Sequence, residues 1–205
     1  MKVGIINLNI NNLSSIYNSL SKSNYKVKII SNGEKKFNYD LVVLPGVGSF
    51  KSAMKYIKKN HLDEKIYQYL SRSNARLYGI CLGMQLLFEK SNEFGNCKGL
   101  NIINGEVKKI PNKLTNMNNN IGWNKIIIKK NIDKKADQIK SNYFYFVHSY
   151  FCDPLNKNNI FSLSNLNNFT FCSSVIDNKI FATQFHPEKS GLAGKKLIKN
   201  LRYFF

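Results

Sequence analysis

The first half of the chain alternates short apolar runs with stretches of helical periodicity, and this alternation constrains the fold most strongly. The apolar runs that predict buried strands are residues 3–6, 27–30, 40–44 and 76–80. The stretches that predict helices are residues 13–23, 54–59, 62–71 and 84–89. Strands that alternate with helices form a mostly parallel sheet covered by helices, with functional loops at the carboxyl ends of the strands.

Beyond residue 99 the pattern changes to short runs of β-type residues. These runs are residues 102–103, 106–110, 125–128, 144–147, 171–176 and 180–185. Asp177 and Asn178 predict a hairpin turn between the last two runs, and residues 193–203 predict a closing helix. The asparagine-rich tracts 116–120 and 156–168 predict loops. We therefore expect a flavodoxin-like α/β fold, with an antiparallel extension in its C-terminal half, in one domain spanning residues 1–205.

Cys81 lies where the fourth apolar run meets the next helical stretch, in the sequence RLYGICLGMQLLF. Gly79 and Gly83 flank it, and residues without a Cβ allow a tight strand-to-helix turn that presents a nucleophile. A cysteine at a helix N-terminus also meets unpaired N–H groups, which favour the reactive thiolate. Taken alone, however, a cysteine is more often a small buried apolar residue.

The sequence QFHPEKSG near the C-terminus supplies a base and a carboxylate. His186 follows a predicted strand that we expect to end at the same edge of the sheet as Cys81. Pro187 fixes the chain direction, so Glu188 can turn back and accept a hydrogen bond from the imidazole. A lone histidine is usually structural. The elbow and the His-Pro-Glu sequence together, however, predict a thiol acyl-transfer site whose catalytic residues are Cys81, His186 and Glu188.

Five motifs carry a family resemblance. GICLGMQLLF and QFHPEKSG resemble the class I, or triad, glutamine amidotransferases. PGVGSF at 45–50, GWN at 122–124 and YFVHSY at 145–150 resemble, in this order, the glutaminase subunits of imidazole glycerol phosphate synthase. The elbow and His-Pro-Glu are shared by the wider superfamily, whereas PGVGSF and YFVHSY are more specific to these subunits. The resemblance extends from the first strand to the last helix.

The resemblance implies hydrolysis of glutamine to glutamate and ammonia through a γ-glutamyl thioester on Cys81. His186 would transfer the protons, and Glu188 would orient its ring. The backbone N–H groups of Leu82 and Val47 would form the oxyanion hole, the second after a flip of the PGVG strand. The residues implied to bind glutamine are Gly48, Gln85, Glu93, His148, Ser149 and Tyr150.

Some of these assignments have simpler alternatives. PGVG could be an ordinary strand-to-loop turn, and Glu93 could be a solvated loop residue. His148 follows an apolar run, so a structural role at the pocket wall or at an interface is an alternative to a direct role in binding.

The same resemblance implies a (β/α)8-barrel cyclase as the partner in a heterodimer that receives the ammonia through a channel. The cyclase makes imidazole glycerol phosphate and aminoimidazole carboxamide ribonucleotide from a phosphoribulosyl-formimino nucleotide. Asn12, Trp123 and Lys189 match positions at or near this interface, although Trp123 could equally belong to the core. The sequence departs from the family pattern at Asn11, where glycine is common, and at residues 120–121, where His-Met is usual. No cofactor and no metal are implied.

Composition limits the other classes of function. The chain has 205 residues, a hydrophobic fraction of 43% and no signal-peptide pattern, so we expect a cytoplasmic protein that contacts no membrane. Its four cysteines contain no CxxC pair, which argues against disulfides and metal. The formal net charge is +19, but the lysines are dispersed and form no arginine-rich arm, so we expect no nucleic acid. An A/T-biased genome would explain this composition, and an anionic partner is the alternative.

Three other functions compete with this interpretation. The first is a glutaminase for another synthase, such as one of pyridoxal phosphate, anthranilate or surface-sugar biosynthesis. PGVGSF and YFVHSY argue against the first two of these but not against a surface-sugar paralogue. The second is a Cys-His-Glu peptidase or esterase. The third is a binding subunit without catalysis, which the intact Cys81, His186 and Glu188 disfavour.

Overall fold

A computed structural model of the chain describes residues 1–9, 13–31, 33–111, 119–129 and 143–205. Its strands are β1 (Lys2–Ile6), β2 (Lys26–Ile30), β3 (Leu41–Gly46), β4 (Leu77–Cys81), β5 (Phe88–Ser91), β6 (Cys97–Lys98), β7 (Ile103–Lys109), β8 (Asn120–Ile128), β9 (Tyr143–His148), β10 (Tyr150–Pro154), β11 (Ile160–Leu166), β12 (Phe169–Asp177) and β13 (Ile180–Thr183). Its α-helices are α1 (Ser14–Ser21), α2 (Phe50–Lys59), α3 (Leu62–Leu70), α4 (Leu82–Leu86) and α5 (Gly191–Lys199).

The parallel part of the sheet has the strand order β2-β1-β3-β4-β13. Alternate residues of these strands belong to separate hydrophobic clusters, with Leu41 and Val43 in one and Val42 and Leu44 in the other. Helices α2, α3 and α4 pack into the second cluster, and α1 and α5 into the first. The two faces of the sheet are therefore both buried, which is why these strands are apolar on both sides.

The antiparallel part of the sheet continues from β13. Strand β12 pairs with β13 across a tight turn in which Asn178 has φ 48°, and β10 and β7 follow. Strand β5 lies parallel to β7, and β6 lies antiparallel to β5. A branch leaves β12 through β11 to β8 and β9. The predicted fold class, a mostly parallel sheet with an antiparallel C-terminal extension, is confirmed.

Two predicted elements are wrong. Helix α4 ends at Leu86, and residues 88–89, predicted as helix, begin strand β5 instead. This strand is fixed by tertiary contact, because the N–H of Gly99 donates to the carbonyl of Glu89 at 2.8 Å. The tract 156–168, predicted as a loop, contains strand β11. Its apolar signal is weak because buried Ser162 and Ser164 occupy inward positions.

The chain ends differently from the prediction. Helix α5 stops at Lys199, and a short 3-10 turn, Leu201–Phe204, follows it. Of the other predicted loop, residues 116–118 lie outside the described residues, and Asn120 begins β8. Within the described ranges, no helix combines the length and the apolar character that are needed to cross a membrane.

Candidate active site

Cys81 lies at the junction of β4 and α4 in a conformation that non-glycine residues rarely adopt. Its φ is 53° and its ψ is −109°. A non-glycine residue at such a φ costs free energy and persists only where the surrounding structure enforces it. The predicted strand-to-helix elbow is therefore present in the structure.

Glycines allow α4 to approach the sheet closely at this elbow. A Cβ on Gly83 would lie 1.7 Å from the carbonyl oxygen of Leu44 on β3, and one on Gly79 would lie 3.0 Å from the carbonyl oxygen of Gly83. A Cβ on Gly46 would lie 2.9 Å from the Cβ of Leu82. The close packing of α4 on β3 and β4 therefore requires glycine at Gly83 and favours it at the other two positions.

His186 reaches the same edge of the sheet from the neighbouring strand. Strand β13 pairs in parallel with β4, with Thr183 opposite Ile80, so the residues that follow both strands emerge side by side. The backbone N–H of His186 donates to the carbonyl of Tyr145 at 2.9 Å. The hydroxyl of Ser190 donates to the carbonyl of His186 at 2.6 Å and accepts from the N–H of Tyr145 at 3.0 Å. These bonds fix the backbone that carries the imidazole.

The imidazole and the carboxylate form a buried pair. Nδ1 of His186 and Oε1 of Glu188 are 2.7 Å apart, and 3% and 9% of the two side chains are exposed. Burial opposes the charged imidazolium, but the Cys81 sulfur and the Glu188 carboxylate outweigh it and raise the pKa of His186 to about 10. Nε2 of His186 has no hydrogen-bond partner of standard geometry among the described residues. This nitrogen is thus available for a proton of the thiol or of a substrate.

Cys81 opens into a cavity of about 280 Å³. The cavity is lined by all the residues predicted for the oxyanion hole and for glutamine binding, namely Val47, Gly48, Leu82, Gln85, Glu93, His148, Ser149 and Tyr150. Asn119, Ile121 and Val147, which were not predicted, also line it. The structure thus brings together in one cavity residues that are distant in sequence. A cavity of this size accommodates a small molecule.

The PGVG segment lies at the mouth of this cavity. Val47 is 40% exposed, and Gly48 has φ 110°, in the region that favours glycine. Because Gly48 tolerates dihedral angles that other residues rarely adopt, it permits the backbone at Val47 to change orientation.

Glu93 is anchored rather than freely solvated. Its Oε2 accepts a hydrogen bond of 2.6 Å from the backbone N–H of Phe50, the first residue of α2. Burial raises the pKa of the Glu93 carboxyl, and the hydrogen bond from Phe50 opposes that change. A carboxylate held at the cavity wall can accept hydrogen bonds from a ligand ammonium group.

His148 is held in a neutral form with both ring nitrogens engaged. Nδ1 lies 2.8 Å from the carbonyl oxygen of Tyr150, to which it donates, and Nε2 accepts from Nδ2 of Asn120 at 3.0 Å. Burial lowers the pKa of His148 to about 4, against the opposing effect of the Tyr150 carbonyl. This arrangement agrees with a structural role at the cavity wall.

Sequence reasoning missed Gln184 as a site residue. Its Nε2 donates to Sγ of Cys81 at 3.6 Å, and its Oε1 accepts from Nε2 of Gln85 at 3.1 Å. The side chain is fully buried. The available signal was a polar residue inside the predicted strand 180–185, at the first position of the motif QFHPEKSG that contains His186.

Two of the three predicted interface residues are exposed. Trp123 on β8 is 53% exposed, with its ring edge-on to Tyr145 at 6.0 Å between centroids, so the alternative that it belongs to the core is wrong. Lys189 is exposed in the turn that follows His186. Asn12 and Asn11 lie outside the described residues.

Comparison with known proteins agrees with this geometry. The family model described as glutamine amidotransferase class-I matches residues 5–203. The structure of PurLQS from Thermotoga maritima has the same fold, with a TM-score of 0.76, 15% identity, and coverage of 100% of this chain and 99% of that chain. The chain is therefore a class I glutamine amidotransferase.

Similarity to individual relatives defines the protein further. The imidazole glycerol phosphate synthase subunit HisH of Prochlorococcus marinus is 39% identical over 98% of this chain and 93% of its own length. The HisH subunit of Caldanaerobacter subterraneus is 37% identical over 97% of this chain and 96% of its own length. The chain belongs to the HisH family, the glutaminase subunits of imidazole glycerol phosphate synthase in histidine biosynthesis.

Proposed function

We propose that this chain releases ammonia from glutamine by thioester catalysis at Cys81 and delivers it to a cyclase subunit. The observation that carries this proposal is the arrangement at one sheet edge. A strained cysteine at the end of β4 opens into a small-molecule cavity, beside a buried imidazole-carboxylate pair at the end of β13.

In the first half of the reaction, the sulfur of Cys81 attacks the γ-carbonyl carbon of glutamine. His186 holds the proton that the thiol has lost and gives it to the departing nitrogen as the C–N bond breaks and ammonia leaves. Glu188 holds Nδ1 of the ring, so Nε2 is the nitrogen that exchanges protons. Burial of the pair limits competing hydrogen bonds from water.

In the second half, water hydrolyses the γ-glutamyl thioester. His186 removes a proton from the water, the C–S bond breaks, and glutamate and the Cys81 thiol are regenerated. The backbone N–H groups of Leu82 and Val47 stabilise the oxyanion in both halves, the latter after reorientation of the PGVG segment.

The α-amino and α-carboxylate groups of glutamine are bound by residues that line the cavity. Glu93 accepts hydrogen bonds from the substrate ammonium, and Gln85, Gly48 and residues 148–150 complete the site. The anchoring of Glu93 by the N–H of Phe50 and the lining of the cavity by these residues support this assignment.

The ammonia acceptor is a (β/α)8-barrel cyclase that forms a heterodimer with this chain. The chain forms one domain, residues 1–205, and acts in the cytoplasm. The names of the relatives identify them as subunits of a synthase, which supports such a partner. Trp123, Lys189 and Asn12 are the proposed contact residues. The exposure of Trp123 and Lys189 supports the first two.

Glutamate release from glutamine tests this proposal. The purified chain is assayed alone and with the barrel cyclase plus its phosphoribulosyl nucleotide. We expect the cyclase and its nucleotide together to stimulate glutamate release strongly, because an ammonia-producing subunit is useful only when its acceptor is present. Cys81→Ala should abolish glutamate release, whereas the matched variant Cys97→Ala, outside the cavity, should retain it.

Two results would contradict the proposal. Full glutaminase activity in Cys81→Ala would exclude the thioester. Stimulation by a different synthase, and none by the barrel cyclase, would retain the triad chemistry and exclude this partner.

A further inference from the structure

An unbroken series of hydrogen bonds leads from the nucleophile into the cavity wall. Nε2 of Gln184 donates to Sγ of Cys81 at 3.6 Å. Oε1 of Gln184 accepts from Nε2 of Gln85 at 3.1 Å, and the same Nε2 donates to the carbonyl oxygen of Tyr150 at 3.0 Å. Both N–H bonds of the Gln85 amide are therefore used, and this fixes the orientation of the Gln184 amide with its nitrogen towards sulfur.

The series continues through His148 to strand β8. The carbonyl of Tyr150 also accepts from Nδ1 of His148, whose Nε2 accepts from Asn120 at 3.0 Å. Oδ1 of Asn120 accepts from Nδ2 of Asn124 at 2.7 Å. Each amide in the series has one consistent orientation, because reversing any one of them would place two donors or two acceptors against each other.

The sulfur of Cys81 meets different partners in its two protonation states. As a thiol it donates to the carbonyl oxygen of Val147 at 3.8 Å. Once the proton leaves, that carbonyl oxygen faces a negative sulfur and no longer stabilises it. The N–H of Gln184 gains strength in the same step, because a hydrogen bond to a charged acceptor is about twice as strong as a neutral one.

We propose that Gln184 is a catalytic residue whose amide N–H stabilises the negative sulfur of Cys81, and that His148 and Asn120 are positioning residues for it. This stabilisation acts twice, when the thiol ionises for attack and when sulfur leaves from the thioester. The catalytic consequence rests on the proposed function, whereas the effect on the sulfur itself does not.

Gln184→Met tests the contact directly, because methionine retains the length of the side chain and has no N–H donor. The rate of Cys81 alkylation by iodoacetamide is measured against pH in a Cys97→Ser background, with mass spectrometry to identify the modified cysteine. We expect the alkylation profile to move to higher pH by about one unit, and kcat for glutamate release to fall about tenfold. Gln68→Met, on the exposed side of α3, is the matched control and should change neither quantity.

Asn120 tests the remote part of the series. Asn120→Leu removes the donor to His148, and we expect a smaller shift of the alkylation profile in the same direction. Asn120→His restores an N–H donor at this position and should return the profile towards that of the parent. A role in packing alone would not give such a rescue.

An unchanged alkylation profile in folded Gln184→Met would overturn the proposal, and thermal melting establishes that the variant is folded. If Gln184→Met does not fold, the Asn120 pair decides, and an unchanged profile in Asn120→Leu overturns the proposal instead. The alkylation assay requires no glutamine, so it is independent of the proposed function. If Gln184→Met shifts the alkylation profile as expected but the parent chain releases no glutamate even with the barrel cyclase and its nucleotide, only the proposed function is contradicted.

Discussion

The two histidines of the site are held in opposite charge states, although both are buried. His186 has a carboxylate on one nitrogen and the nucleophile beside it, so the imidazolium is favoured. Burial favours the neutral ring of His148, against the opposing effect of the Tyr150 carbonyl. The negative groups beside His186 therefore make the difference between the two rings, and of the two only His186 can supply a proton at neutral pH.

The neutral state of His148 predicts an acid-dependent loss of stability. The pKa of His148 is about 4 in the folded chain and 6.5 in the unfolded chain, so the unfolded chain binds the proton more readily. The stabilisation is complete above pH 6.5 and is lost progressively as the pH falls towards 4, by about 3 kcal/mol. Urea unfolding at several pH values measures this slope, which should be reduced in His148→Gln.

His61→Gln is the control for this experiment, because the imidazole of His61 is exposed. It should retain the acid-dependent loss of the parent chain. An identical slope in His148→Gln and in the parent would show that His148 is already protonated in the folded state.

At the same scale, the sequence identifies the three catalytic residues better than it identifies the residues that contact them. His186 and Glu188 are two residues apart, and the glycines around Cys81 are local, so the motif carries most of the information. Gln184 contacts Cys81 and Gln85, which are distant in sequence. Such contacts exist only once β4 and β13 pair, so residue types and spacing could not identify them.

At the scale of elements, the turn between β4 and α4 depends on Gly83, because the close packing of α4 on β3 leaves no room for a side chain there. Gly83→Ala would place a Cβ 1.7 Å from the carbonyl oxygen of Leu44, and backbone on both sides leaves no flexible group to yield. We expect α4 to shift, the chain to lose about 3 kcal/mol of stability, and glutamate release to fall sharply. Urea unfolding and the glutaminase assay measure the two effects.

Gly33→Ala is the matched control, because no atom lies within 4 Å of the added Cβ. It should change stability little and leave glutamate release as in the parent. Parent-like stability in Gly83→Ala would show that α4 can move away from β3 without cost.

Elements with a strong apolar pattern were predictable, and elements fixed by tertiary contact were not. Strands β1, β3 and β4 are apolar on both faces, so their sequences alone indicate burial. Strand β11 instead buries Ser162, whose hydroxyl bonds with those of Ser173 and Ser174 on β12. Serine is typical of loops, but here it can be buried because its hydroxyl is hydrogen-bonded across the sheet. Pairing with β12, rather than the sequence pattern, therefore defines β11.

At the scale of the whole molecule, the β8–β9 ribbon connects the cavity with an exposed surface. Ile121 on β8 lines the cavity and is also 60% exposed, and Trp123 lies two residues further along the same strand. Asn120 and Asn124 of this strand belong to the hydrogen-bonded series that reaches Cys81. A partner seated on the ribbon would thus lie next to both the cavity mouth and the residues that position Gln184.

Trp123 can report this docking, because it is the single tryptophan of the chain. The chain labelled with 5-fluorotryptophan should give one ¹⁹F resonance, which moves saturably when the unlabelled barrel cyclase is added. Trp123→Ala should weaken the complex about tenfold or more, since a buried aromatic anchor contributes strongly to binding. Leu155→Ala, an exposed apolar residue outside the ribbon, is the control and should leave affinity unchanged. A resonance that does not move while the cyclase still stimulates glutamate release would place the interface elsewhere, and the ribbon would then only form the cavity wall.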